Sequence, residues 1–123
     1  MFVLIAHGSR DERWRKSLEN LAASLETRSP SHSVALAFMQ FEGPTLPQVI
    51  ERGVTQGVTD FQLLPLFMAS AGHVDKDIRP LVEELSTRFP DARMELLTPI
   101  GEDLLFRGLI QTIVNNVPTR GRS

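Results

Sequence analysis

Cysteine is absent from this sequence of 123 residues. Disulfides, thiolate zinc sites, iron–sulfur clusters and cysteine nucleophiles are therefore excluded. Imidazole nitrogens and oxygen atoms are the ligands that remain for a metal. Because the sequence has only three histidines, each of them is a candidate for that chemistry.

The sequence also lacks an excess of charge and a long hydrophobic run. Its formal net charge of -2 gives no reason to expect a nucleic-acid partner. The apolar run at residues 1–6 stops at His7, which makes it far shorter than a signal-peptide core or the roughly 20 residues of a membrane span. We expect a cytoplasmic protein with no membrane partner.

Length and hydrophobic pattern predict one α/β domain. Apolar, strand-like runs alternate with helical patterns, which predicts a βαβαβαβα order and a four-stranded, flavodoxin-like parallel sheet with helices on both faces. The predicted strands are 1–6, 34–41, 61–68 and 92–99, and the predicted helices are 10–27, 46–56, one that begins near 77, and 102–116. We predict that the domain covers residues 1–117 and that residues 118–123 form a polar tail.

The helix starts are predicted from capping residues. Ser9 with Glu12, and Thr45 with Gln48, have the spacing of a capping box. Trp14 and the methionines at positions 39, 68 and 94 fall on apolar faces, so core packing is their predicted role.

Two histidines are predicted to follow strands at the same edge of the sheet. His7 ends the first strand, and Pro80, which fits only the first turn of a helix, places His73 in the loop before a helix capped near Asp77. Open parallel sheets bind ligands at this carboxyl edge. In a strand order of 2-1-3-4 the two imidazoles could meet, and could bind a divalent metal or accept protons. Alternatively, each histidine caps a turn. His32 lies at the opposite edge and is predicted to be solvated.

Small and charged residues surround these two loops. Gly8 adjoins His7, and a low-bulk segment at 69–72 precedes His73. A flat ligand could approach the backbone there, although ordinary turn chemistry explains the same residues. Glu42 is the only carboxylate near the end of the second strand, and an exposed role before a turn suits it equally well. Positive charge for an anionic ligand could come from Arg10, Arg13, Lys76 and Arg79.

Three segments carry a resemblance to a known family. These are "LIAHGSRD" at the start, "AFMQFEGPTLPQVI" in the middle and "LLPLFMASAGHVDKDI" after it. With them, the sequence resembles the short form of the sirohydrochlorin chelatases, the CbiX-type class II chelatases for cobalt, nickel or iron. The likeness extends from Phe2 to about Asn115. Its most specific parts are the strand-ending His-Gly-Ser and the Gly-His-x-x-x-Asp-Ile after Pro-Leu-Phe.

The resemblance implies an enzyme, its substrates and its assembly. It implies a chelatase-like α/β fold, a homodimer of short chains, and insertion of Co²⁺, Fe²⁺ or Ni²⁺ into sirohydrochlorin on the routes to cobalamin, siroheme or the nickel tetrapyrrole coenzyme. The metal is a substrate, and no organic cofactor is implied. By position, His7 and His73 take the roles of metal ligands and proton acceptors. Residues predicted to line the macrocycle are Arg10, Gln40, Glu42, Gly43, Met68, Ala69, Ser70, Ala71 and Gly72.

One position departs from the family pattern. Many members have Phe-Met-Glu-Phe at the end of the second strand, whereas this sequence has Gln40 in place of the glutamate. An amide can neither accept a proton nor neutralise a cation. Either Glu42, two residues further along an extended strand and so on the same face, replaces it, or the chain is a non-catalytic relative that binds a tetrapyrrole or a metal without turnover.

Overall fold

The fold alternates strands and helices along the whole chain. We describe it from a computed structural model, in which the described residues are 1–29, 31–68 and 74–119. Its elements are β1 (Phe2–Ala6), α1 (Glu12–Arg28), β2 (Val34–Phe38), α2 (Leu46–Thr55), β3 (Asp60–Pro65), a π-helical turn (Val74–Ile78), α3 (Arg79–Arg88), β4 (Arg93–Leu96), a 3-10 turn (Ile100–Glu102) and α4 (Leu104–Asn116). Over the described residues, no helix is both long enough and apolar enough to cross a lipid bilayer.

The sheet has the predicted composition and order. All of its four strands are parallel, in the order β2-β1-β3-β4. In the register of the central pair, Ile5 of β1 lies opposite Pro65 of β3. Because β1 and β3 are neighbours, the segments that leave their carboxyl ends share one edge of the sheet. The four-stranded parallel α/β fold is therefore confirmed.

Alternate residues of the strands feed two separate cores. Val3 and Ile5 of β1 face a core that includes residues of α2 and α3. Ala6 belongs to a smaller core on the other side, with Phe38 and Leu18 of α1. Successive strand residues point to opposite faces, so helices cover both faces of the sheet, as the apolar strand sequences predicted.

Helix starts agree with the capping prediction at one helix and differ at another. Thr45 and Gln48 form the predicted capping box at the start of α2. At α1 the predicted box does not form, because Asp11 is the N-cap and accepts a hydrogen bond from the Arg13 amide. Ser9, two residues before that cap, instead accepts a hydrogen bond from the Asp11 amide. Hydrogen bonding by the Arg13 side chain and backbone lowers the pKa of Asp11, because these bonds favour the charged carboxylate.

The third helix begins differently from the prediction. A π-helical turn over Val74–Ile78 leads directly into α3, and Ile78 rather than Asp77 occupies the cap position without a side-chain hydrogen bond. Pro80 lies in the first turn of α3, as predicted. His73 and the segment 69–72 lie outside the described residues, so their predicted places in the preceding loop stay predictions.

Two helices leave apolar side chains exposed. Along α1, Trp14, Leu21 and Leu25 face solvent while Leu18 and Ala22 are buried. No residue of α4 is buried. The predicted core role is therefore wrong for Trp14 and also for Met68, which is exposed, whereas the methionines at 39 and 94 do pack against the core. Exposed apolar residues of α4 and its end are Leu104, Leu105, Leu109, Ile110, Ile113, Val114 and Val117.

Candidate functional site

His7 lies at the carboxyl edge of the sheet, directly after β1. Its ring stacks on the ring of Phe67, with 4.1 Å between centroids and 25° between planes. The main-chain carbonyl of His7 accepts a hydrogen bond from the Gln40 amide at 3.0 Å, and the Ala6 carbonyl accepts one from the Met39 amide at 2.9 Å. Both the ring and the backbone of His7 are therefore held by neighbouring strand ends.

A cavity of about 490 Å³ opens beside this histidine. Buried Phe67 and Ile78 provide its apolar part. Lys76 and Asp77, from the π-helical turn, bring charges of both signs. The complete lining among the described residues is His7, Met39, Gln40, Phe67, Lys76, Asp77 and Ile78. The cavity therefore combines an imidazole, an amide, an ammonium group and a carboxylate next to an apolar surface.

Gly8 allows the loop after His7 to turn tightly. Its φ is +96°, and a Cβ at this position would overlap the main-chain carbonyl oxygen of Gln40. Only glycine adopts this backbone conformation without strain. The close approach of the two loops therefore depends on the absence of a side chain at Gly8.

Gln40 reaches the cavity from the loop after β2, and this loop bends. Because β2 ends at Phe38 and residues 40–43 bend, Gln40 and Glu42 do not lie on one face of an extended strand. That premise of the sequence prediction is wrong. Phe41, between them, has a φ of +71° and is 59% exposed, and the guanidinium of Arg10 lies 5.0 Å from its ring centroid.

Glu42 is not among the described residues that line the cavity, and its carboxylate makes two polar contacts. One carboxylate oxygen accepts a hydrogen bond from the Ser9 amide, and the other pairs with the Arg15 guanidinium, each at 3.0 Å. Its side chain is only 12% exposed. Hydrogen bonds from Arg15 to Glu19, and then to Glu42, raise the pKa of that arginine. Glu42 is therefore engaged in an ion pair that ties the His7 loop to α1.

The remaining predicted site residues are spread over the same edge or lie outside the described residues. Gly43 packs near the Gln48 side chain at the start of α2, and Met68 is exposed at the end of the β3 segment. Ala69, Ser70, Ala71, Gly72 and His73 fall outside the described residues. Within the described part of the chain, no group of three or more histidine and carboxylate side chains forms a metal cluster. Of the two predicted metal ligands, His7 lies within the described residues and lines the cavity.

Sequence reasoning missed the contact between His7 and Phe67. The strand register of the structure explains this contact, because Ile5 pairs with Pro65 and two further residues along each chain lead to His7 and Phe67. Sequence reasoning also treated Asp77 as a helix cap, whereas Asp77 lines the cavity. The π-helical turn that moves it has no recognisable signature in the sequence.

Comparisons with known proteins place the chain in a family. A CbiX family model matches residues 1–117. A sirohydrochlorin cobaltochelatase of Methanocaldococcus jannaschii is 32% identical over 80 residues, which cover 65% of this chain and 56% of that protein. A sirohydrochlorin ferrochelatase of Bacillus subtilis is 31% identical over 104 residues, which cover 82% of this chain and 39% of that protein. The chain thus spans about half the length of these relatives, or less.

A solved structure extends this similarity to the fold. The crystal structure of a putative cobalamin biosynthesis CbiX protein from Marinobacter aquaeolei superposes with a TM-score of 0.78 and 32% identity, over 93% of this chain and 92% of that one. Sequence match and fold match agree along nearly the whole chain. The chain belongs to the CbiX family.

Proposed function

We propose that this protein is a metal chelatase, a lyase that inserts Co²⁺, Fe²⁺ or Ni²⁺ into sirohydrochlorin. The observation that carries the proposal is the position of His7, which is stacked on Phe67 beside a cavity at the ligand edge of a parallel sheet. Relatives named as sirohydrochlorin cobaltochelatase and ferrochelatase support the reaction and leave the metal open. Imidazole ligands suit all three metals, so the site itself does not select one of them.

The chemistry of metal insertion fits an imidazole at this position. The cation must lose part of its water shell, reach the ring nitrogens and displace two pyrrole protons. A neutral imidazole can bind the ion, release it to the macrocycle and then accept a proton. In this proposal His7 acts with His73, and the few protein ligands leave open positions for water and for the incoming substrate. A fully enclosed site would retain the metal instead of transferring it.

The surroundings of His7 suit a flat polycarboxylate. Lys76 lines the cavity and Arg10 stands beside the exposed ring of Phe41, so positive charge and an aromatic face lie at the same edge. We propose that these cations contact the peripheral carboxylates of the macrocycle. The low-bulk segment 69–72, with Met68 and Gly43, is the proposed shelf for its flat face. No organic cofactor is required in this scheme, and a cytoplasmic location remains the expectation.

We also propose that the chain acts as a homodimer. Exposed apolar residues recur at helical spacing on α4 and just after its end, as in Leu109, Ile113 and Val117. A second apolar surface lies on α1 around Trp14, on the sheet side where Leu66 is only partly buried. Large exposed apolar surfaces mark protein interfaces. A second copy is the proposed occupant, because relatives of the kind matched here reach more than twice the aligned length.

An anaerobic insertion assay tests the proposed reaction. Purified protein, sirohydrochlorin and each of Co²⁺, Fe²⁺ and Ni²⁺ are mixed, and the visible spectrum of the macrocycle is followed against the same mixture without protein. We expect faster insertion with at least one metal. A shifted macrocycle spectrum at the spontaneous insertion rate would instead identify a tetrapyrrole-binding protein without turnover, the alternative raised by Gln40.

A further inference from the structure

We propose that Glu42 is a positioning residue that fixes the His7 loop, and that it is not the carboxylate that meets the metal. This inference deepens the proposed function, and it rests on that function for the Co²⁺-binding readout only. Two roles for Glu42 were open from the sequence, which were replacement of the missing glutamate at Gln40 and an exposed position before a turn. The geometry favours neither of them.

Both oxygens of the Glu42 carboxylate are engaged, and both partners belong to the segment that follows β1. One oxygen accepts the Ser9 amide hydrogen, two residues after His7, and the other pairs with Arg15 in α1. A carboxylate with 12% of its side chain exposed is stable in its charged form only when such partners compensate for lost water. The negative charge of Glu42 is therefore compensated by Ser9 and Arg15, next to the loop that carries His7.

The cation that holds Glu42 is itself fixed in place. The Arg15 guanidinium also pairs with Glu19 at 3.1 Å, and it lies 5.5 Å from the centroid of the Phe38 ring. An arginine that is paired and also stacked on an aromatic ring has a restricted orientation. Phe38 is the last residue of β2. The position of the Glu42 carboxylate is therefore fixed relative to both α1 and the sheet.

The contact at Ser9 matters because of the glycine that precedes it. Gly8, with its positive φ, is a point at which the backbone can turn with little steric resistance. The carbonyl of His7 is tied to Gln40 on one side of Gly8, and the amide of Ser9 is tied to Glu42 on the other. These two hydrogen bonds, one on each side of Gly8, restrict rotation of the loop. In this proposal, loss of the contact between Ser9 and Glu42 loosens the loop and weakens the stacking of the His7 ring on the Phe67 ring.

Two substitutions at Glu42 separate positioning from direct contact with the metal. Glu42→Gln keeps an acceptor for the Ser9 amide and loses the charge, whereas Glu42→Ala removes the acceptor as well. We expect Glu42→Ala to weaken Co²⁺ binding, measured without tetrapyrrole, by about 10- to 100-fold, the usual effect of losing a group that orients a metal ligand. Glu42→Gln should stay within about threefold of the wild type.

A second readout follows His7 without any metal. The ring protons of His7 should show an upfield NMR shift from the stacked Phe67 ring in the wild type and in Glu42→Gln, and should lose it in Glu42→Ala. Glu19→Ala is the matched control, because it removes the other carboxylate partner of Arg15 and leaves the Ser9 contact in place. It should preserve both the ring shift and the Co²⁺ affinity.

These measurements test the positioning role of Glu42 independently of the proposed metal insertion. Equal loss of Co²⁺ binding in Glu42→Gln and Glu42→Ala, with an unchanged His7 ring shift, would overturn the proposal and make Glu42 a metal ligand. An unchanged ring shift and unchanged affinity in Glu42→Ala would also overturn it. Thermal unfolding of each variant identifies any that fails to fold. Since the ring shift needs neither metal nor macrocycle, it remains decisive even if the chain proves inactive as a chelatase.

Discussion

The imidazole of His7 is held in position by residues that are close to it in space and distant from it in sequence. Phe67 supports one face of the ring, and the backbone of the β2 loop holds the main chain. The proposed chemistry needs a ligand that is held in place and still exposed to substrate, and His7 is partly buried at the edge of the cavity. In the proposed reaction, His7 is therefore the metal ligand whose contacts with the fold are described.

Gly8 is the residue whose substitution should most directly disturb this arrangement. In Gly8→Ala the new Cβ would overlap the Gln40 carbonyl oxygen in a backbone conformation that strains any side chain. We expect a loss of at least about 2 kcal/mol in the free energy of unfolding, together with loss of insertion activity. Urea denaturation followed by circular dichroism measures the first effect.

Gly57→Ala is the matched control for that substitution. Gly57 also has a positive φ, of +87°, but no atom lies within 4 Å of a Cβ built there. Only the conformational cost of about 1 kcal/mol remains, and activity should be retained. Equal losses of stability in the two variants would show that the contact between the His7 and Gln40 loops has no energetic weight.

Substitution of Gln40 tests how much a carboxylate in the cavity would raise the affinity for the metal. Gln40→Glu places a negative charge beside the cation, and a charge a few ångströms away stabilises a divalent ion even where the effective dielectric constant is near 20. We expect Co²⁺ affinity to rise by about tenfold and insertion to proceed in both proteins. An inactive wild type made active by this substitution would instead support the non-catalytic alternative.

At the scale of elements, the order of helices and strands was predictable and their ends were less so. Alternation of apolar runs and helical patterns predicted the parallel sheet, and Thr45 with Gln48 predicted the start of α2 correctly. The start of α1 moved from Ser9 to Asp11 because both side chains can cap, and Asp11 has the Arg13 amide within reach. A local pattern could not decide between these competing acceptors.

The sheet edge that carries the candidate site, and His7 at that edge, could be predicted from the sequence. The contacts between the residues of the site could not. Parallel topology alone brings the ends of β1 and β3 together. The bend after Phe38, which separates Gln40 from Glu42, depends on a positive φ at Phe41, a conformation that phenylalanine rarely adopts. The partners of Glu42 are Ser9 in the loop after β1 and Arg15 in α1, which lie 33 and 27 residues away along the chain. Tertiary contacts of this kind have no signal in a single sequence.

The capping box of α2 gives a test of element stability. Thr45→Ala removes the hydroxyl that accepts the Gln48 amide hydrogen, and should lower the free energy of unfolding by about 1 kcal/mol. Thr55→Ala, at the end of the same helix, removes only a hydroxyl that donates to the Glu51 carbonyl, and should change stability by less than about 0.5 kcal/mol. A larger effect at Thr55 would contradict this account of the helix.

At the scale of the whole molecule, α1 and α4 expose apolar side chains that the proposed homodimer would cover. Exposure reaches 84% at Leu105, and no residue of α4 is buried. A helix this short is marginal in water unless its apolar face packs against something. The proposed homodimer gives α4 that contact and completes the molecule with a second copy of the same site.

Paired aspartates on α4 test the dimer. Leu109→Asp with Ile113→Asp places charges within the apolar stripe, so the mass measured by light scattering should fall from a dimer to the 13.8 kDa monomer. Gln111→Asp, on the polar side of the same helix where Gln111 bonds to Asn115, should leave the dimer intact. A wild type that is monomeric at all concentrations would exclude a second copy as the occupant of this surface.

The most direct test of the central claim compares two histidines in the insertion assay. His7→Ala removes the imidazole at the cavity, while His32→Ala removes one at the opposite edge, where His32 packs edge-on against Phe2 at 5.1 Å. With Co²⁺ and sirohydrochlorin under anaerobic conditions, we predict that His7→Ala reduces the protein-dependent rate at least about 100-fold and that His32→Ala keeps it within about twofold. A His7→Ala variant that folds and inserts metal at the wild-type rate would contradict the account.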